Sequence, residues 1–144
     1  MRAKEFLCQV YKLDCIINNK MAEKRQWYEM VTGTASQMGG DRVQSSSNPQ
    51  RMSDAIARYM DIEREINDKI DELIALKRDV NGVIELLSAN EYDVLHMRYI
   101  QGYTFQEIAN IKERSYSCIT TIHGAALRKV QQIIDARDKQ HASD

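Results

Sequence analysis

Proline is nearly absent from this sequence, with one residue in 144, and glycine occurs only six times. A β-rich fold places both residues in its many turns, so their scarcity favours long helices. Charge of one sign is missing too: 20 Lys and Arg face 21 Asp and Glu, for a formal net charge of −1. That balance excludes a uniformly basic nucleic-acid coat but leaves room for a local basic patch. No apolar run approaches the roughly 20 residues of a bilayer span, so no membrane partner is expected. Lys12 and Asp14 interrupt the apolar centre that a secretion signal needs, and a cytoplasmic protein is expected. The three cysteines are an odd number without metal-ligand spacing. Cys8 and Cys15 would lie roughly 10 Å apart along one helix, too far to bridge, and reduced thiols fit a cytoplasm. His96, His123 and His141 lack the clustering of a metal site, and no metal or cofactor is expected. Nucleophile elbows, phosphate loops and zinc motifs are missing as well; Gly39 and Gly40 lack the neighbouring Lys and Ser/Thr. The chain is not expected to be an enzyme.

What is present is helical periodicity, and an all-α fold is expected. Phe6, Val10, Leu13, Ile17, Met21, Tyr28 and Val31 recur at helical spacing over residues 2–31, with Gly33 as a stop. Lys20 and Lys24 fall near this stripe. Residues 32–50 have loop composition, closing on Asn48-Pro49 as an N-cap followed by proline in the first turn. A long helix over 51–87 then carries Tyr59, Ile66, Leu73, Val80 and Leu87 every seven residues. Ile56, Ile62, Ile70, Leu76, Val83 and Ile84 widen that line, and nine acidic and six basic residues solvate the rest. A helix with such a stripe must pair. Folding back on helix 2–31 gives an N-terminal helical hairpin or coiled coil over 1–87. The heptad line is the expected oligomerisation seam, giving a homo-oligomer.

Residues 88–137 read as a separate module of short helices, and 138–144 as a frayed tail. Ser88 to Glu91 and Thr104 to Glu107 both have capping-box spacing. Helices are expected from there to Ile100 and to Ile111, and from Ser115 to Arg137. This is the layout of a helix-turn-helix. Ile108 and Ala109 are its expected inner face, with Ile119, Ile122, Ala126 and Val130 across from them. Tyr116, Ser117, Thr120, Thr121 and Gly124 lie opposite, where short polar side chains reach base edges or phosphates. Lys112, Arg114, Arg128 and Lys129 add local positive charge against Glu113 alone. Thr104, Ser115 and His123 complete the candidate DNA-binding set.

The stretch EYDVLHMRYIQGYTFQEIA, followed by S-x-x-x-I-x-x-I-x-x-x-A-L-R-K-V, resembles region 4 of the sigma-70 family. The whole chain, a helical hairpin before such a module, resembles phage and mobile-element late-gene regulators of the ArpU/RinA type. The resemblance implies sequence-specific binding of double-stranded DNA and transcription control in a bacterial host cell, with RNA polymerase as a candidate partner. Its turn differs from the family's usual glycine and apolar residue, being Lys112-Glu113-Arg114. Its recognition helix presents hydroxyls where the family presents arginines. Two other readings stay open: a DNA-packaging (small terminase-like) or architectural protein, and a protein-interaction adaptor.

Overall fold

In the computed structural model, which describes residues 1–33 and 49–143, every element is helical. α1 spans Ala3–Thr32 and α2 Pro49–Ile84; α3, Ala89–Leu95, runs into a π-helical turn, His96–Ile100. α4 spans Phe105–Lys112 and α5 Tyr116–Ala142. None of these helices is long and apolar enough to cross a membrane. Pro49 is the first residue of α2, and Gly33 sits at φ +75° just beyond α1, a left-handed stop that favours glycine. The expected Asn48 cap and most of the 32–50 loop lie outside the described residues.

Packing divides the chain into two compact units, Met1–Leu13 with Leu73–Asp144, and Asp14–Glu72. The division is not the expected one at 87/88. The reason is visible in the first unit's core. Phe6, Leu7 and Val10 of α1 and Val80, Val83 and Ile84 of α2 share one apolar cluster with Leu95, Tyr99, Ala126, Val130 and Ile134. Leu7, Val10, Val80, Val83, Ile84, Leu95, Ala126 and Val130 are fully closed to solvent. At about 1.5–3 kcal/mol per buried Val, Leu or Ile side chain, this contact ties the chain's first turns firmly to its last helix. The expected frayed tail is likewise helical through Ala142, with Ser143 as its C-cap.

The second unit is an antiparallel pair made by the remainders of α1 and α2. Lys20 meets Glu65 at 2.9 Å, while Tyr28, further along α1, meets Tyr59, earlier on α2, with ring centroids 6.1 Å apart. Ile17, Ala55, Ile62 and Ile66 are buried within it. The two lysines that blemished the α1 stripe are ion-paired: Lys20 with Glu65, and Lys24 with Glu63 at 3.5 Å. The Lys20 ammonium, assisted by Arg58, holds the Glu65 carboxyl below its usual range. Pairs this exposed are screened by salt and add little.

Two expectations change here. The α1 stripe ends early, since Met21 and Tyr28 are about half exposed. The heptad line is used inside the chain: Ile66 and Val80 are buried, and Leu73 and Leu87 pack half-buried on the first unit's core. Ile66 and Val80 are therefore covered by the chain's own residues, while Tyr59, Leu73 and Leu87 are half-buried. A chain can satisfy a heptad stripe with its own folded-back helix as well as with a partner's.

Leu7→Ala tests the shared core. Truncating this fully buried side chain should lower unfolding stability by about 2–5 kcal/mol in a urea titration followed by far-UV circular dichroism. A change under 0.5 kcal/mol would mean that α1 does not support the C-terminal helices.

Candidate nucleic-acid interface

A second, smaller apolar cluster sets the geometry of α4 and α5. Val94, Ile108, Ala109 and Ile119 are buried together, with Met97, Tyr103, Phe105 and Ile122 packed around them. Ala109 is 2% exposed, and its small side chain lets α5 cross close to α4. Three sets of local bonds then fix where each helix starts and stops. Thr104 Oγ1 accepts from the Glu107 N–H at 3.2 Å, and the Glu107 carboxylate accepts from the Thr104 N–H at 3.3 Å, closing the expected capping box. α4 ends in a Schellman arrangement, in which Arg114 N–H donates to Ala109 O (3.0 Å) and Glu113 N–H to Asn110 O (3.3 Å). Ser115 Oγ accepts from Cys118 N–H at 3.1 Å and opens α5. Glu113 takes the left-handed conformation, φ +54°, that glycine would adopt without steric cost. The turn is thus made with ordinary geometry by a residue poorly suited to it.

The capping box expected at Ser88–Glu91 is not formed. The Ser88 side chain makes no bond to the helix backbone; its hydroxyl donates to the Glu91 carboxylate instead. Glu91 is buried and also accepts from Lys129 Nζ at 2.7 Å. Lys129 first, then Ser88, holds the Glu91 carboxyl below its usual range.

The expected cations separate into two groups. Lys129 is engaged by Glu91, and Lys112, 14% exposed, is paired with Asp93 at 2.6 Å. Both pairs brace α3 against the helix-turn-helix, so both lysines have a structural partner, Lys112 while largely buried and Lys129 while still exposed. Arg114 is exposed, with a 3.9 Å contact to the Cys118 sulfur, and Arg128 is exposed without an ion pair among the described residues. Positive charge on the reading face is therefore sparse.

The outward line of α5 lies where the sequence placed it. Tyr116 (52% exposed), Ser117 and Thr121 face solvent, and Thr120 and Gly124 are half-buried beside them. Tyr116 also touches Phe105 edge-on, with centroids 6.2 Å apart. The Thr120 and Thr121 hydroxyls both donate to the Ser117 carbonyl, at 3.0 and 2.9 Å. Their outward lone pairs can accept from a base amino group, and their methyl groups can meet a thymine methyl. Gly124 has open space where a Cβ would stand. α4 adds Gln106 and Asn110, both exposed and bonded to each other at 3.1 Å, which the sequence reading did not single out.

His123 is the clearest correction. Its Nε2 lies 2.7 Å from the Tyr99 hydroxyl, its ring stacks on Tyr99, and the Phe105 edge closes over it, centroids 4.8 Å apart. Burial first, then the charges of Arg98 and Lys4, pushes its pKa down to about 4, while burial pushes Tyr99 up to about 12. The bond therefore joins a neutral imidazole to a neutral phenol. An uncharged, half-buried imidazole already bonded to Tyr99 is poorly placed to reach for phosphate; it ties α5 to the π-helical turn. Arg98 supports the same cluster, its guanidinium 4.9 Å from the Phe105 ring centroid and bonded to Tyr103 O at 3.1 Å.

The linkage has a definite sign. A histidine whose pKa falls on folding favours the native state fully above its unfolded value near 6.5, and that contribution disappears as pH drops toward 4. Stability should decline across this window, and His123→Gln should flatten the decline. Equal slopes for the two proteins in urea melts between pH 4 and 7 would show that the ring is not buried neutral.

Residues 83–132 match the family Sigma-70, region 4. No curated protein and no solved structure matches the chain. The matched segment covers α3, the π-helical turn, α4 and α5 as far as Gln132, with the end of α2 before them. Over these residues the chain is similar to sigma-70 region 4, a family of DNA-binding helix-turn-helix modules.

Proposed function

We propose that the chain is a sequence-specific DNA-binding transcription regulator of phage or mobile-element genes, similar to the ArpU/RinA type. The observation that carries the reading is the face Tyr116, Ser117 and Thr121, exposed beside half-buried Gly124 on a helix that two apolar clusters and three caps hold in place. In a helix-turn-helix the second helix enters the major groove by its N-terminal residues, and these are that part of α5. Ser115 and Arg114, at the helix start, suit phosphate oxygens; the Thr121 and Ser117 side chains suit base edges. With Lys112 and Lys129 engaged internally, one module releases few counterions and holds a single site weakly. A homo-oligomer carrying two modules would raise the effective concentration of the second, and self-association belongs to this reading. Light scattering should give a solution mass above that of one chain; a single-chain mass at binding concentrations would remove that part.

The neutral reading face supports a second reading, an adaptor that contacts RNA polymerase. One experiment separates them. After a duplex is selected from random DNA, the double variant Ser117→Glu/Thr121→Glu should bind it at least about tenfold more weakly at fixed salt, with unchanged circular dichroism. Unchanged affinity would refute base reading by α5. Saturable binding of purified polymerase, with no saturable DNA site, would favour the adaptor.

A further inference from the structure

We propose that the first turn of α1 extends the duplex-binding surface, with the Arg2 and Lys4 side chains and Arg128 of α5 forming a clamp on the DNA phosphate backbone beyond the base-reading residues. The inference rests on the reading of α5 as the recognition helix.

This turn is fixed against α5. The Ala3 N–H donates to Gln131 Oε1 at 2.7 Å, and Gln131 Nε2 donates back to Met1 O at 3.2 Å. Ala3 and Leu7 are buried on the same side. Arg2 and Lys4 remain exposed. Lys4 lies close enough to the middle of α5 for its charge to oppose protonation of His123. Nearby acids are partly engaged: Glu5 accepts the Arg2 N–H at 3.3 Å, and Asp135 accepts from Gln131 at 3.0 Å.

Arg128 connects this turn to the reading face. Ser117, Thr121, Gly124 and Arg128 follow at steps of four, three and four, so they share one helix face. Arg128 stands roughly 16 Å beyond Ser117 along the axis. When the start of a recognition helix sits among the bases, groups that far along it meet the flanking strand, where the ligand chemistry is phosphodiester oxygen. Arginine and lysine side chains fit that ligand, and they supply counterion release that the paired Lys112 and Lys129 do not.

The test titrates the full chain and Arg2→Gln/Lys4→Gln with the selected duplex and with a scrambled one over a series of salt concentrations. The clamp predicts that the slope of log affinity against log salt falls by about 1.8 in the variant, at about 0.9 per lost phosphate contact. Affinity for both duplexes should fall by the same factor, leaving sequence preference intact. Lys12→Gln, a charge loss eight residues further along α1, should leave the slope alone. An unchanged slope in Arg2→Gln/Lys4→Gln, with wild type still binding, overturns the clamp and leaves the reading of α5 standing. An equal per-charge loss from Lys12→Gln reduces the effect to overall charge and also overturns it. No saturable, salt-dependent binding by wild type overturns the reading of α5, and the clamp with it.

Discussion

The apolar face of α5 is what the first unit is built around. Ile119 near its start sits in the small wedge with Ile108 and Ala109; Ala126, Val130 and Ile134 sit in the larger core with α1 and α2. One rigid helix thus carries both clusters, and the outward residues of its first three turns inherit their orientation from contacts made up to five turns away. A helix-turn-helix of this size buries little apolar surface by itself. Borrowing Phe6, Leu7 and Val10 from the far end of the chain supplies a core that the local segment lacks.

Electrostatics in this unit serve the scaffold before they serve a ligand. Lys112 and Lys129 both point back to carboxylates on or beside α3, and each bond crosses from the helix-turn-helix to its supporting helix. A charge held at 2.6–2.7 Å by a partly buried carboxylate contributes little attraction to a distant polyanion. Near neutrality of the reading face follows from this pairing as much as from composition. What that face offers a ligand is hydroxyl and methyl groups, with the unpaired cations placed elsewhere.

The π-helical turn is where three elements are joined. Widening the helix over His96–Ile100 carries Tyr99 onto His123 and Arg98 onto Phe105, joining three elements through two ring contacts and one hydrogen bond. Such a partly buried polar bond is costly to leave half made, so it favours a single register of α5 against α3. Gly102, at φ +81°, then turns the chain toward the Thr104 cap.

Periodicity and capping chemistry already fixed much from sequence alone: all five helices, the Thr104 box, the Ser115 cap, the Ile108–Ala109–Ile119 wedge and the outward Ser117–Thr121 face. These depend on neighbours within about four residues, so a linear string contains them. Which side chains were already engaged was not legible. Lys112 finds Asp93, Lys129 finds Glu91, His123 finds Tyr99 and Ala3 finds Gln131, and nothing in the spacing of these pairs announces the contact. The heptad line on α2 had the same ambiguity, since a stripe says that a helix must pair and not with whom. Residue spacing settles that the chain is helical and which face of α5 turns outward; that α1 closes the core beneath it, and which cations stay free, emerges from the folded arrangement. The reason is that helix periodicity is a local property of the backbone, whereas burial and ion pairing depend on residues brought together from distant parts of the chain.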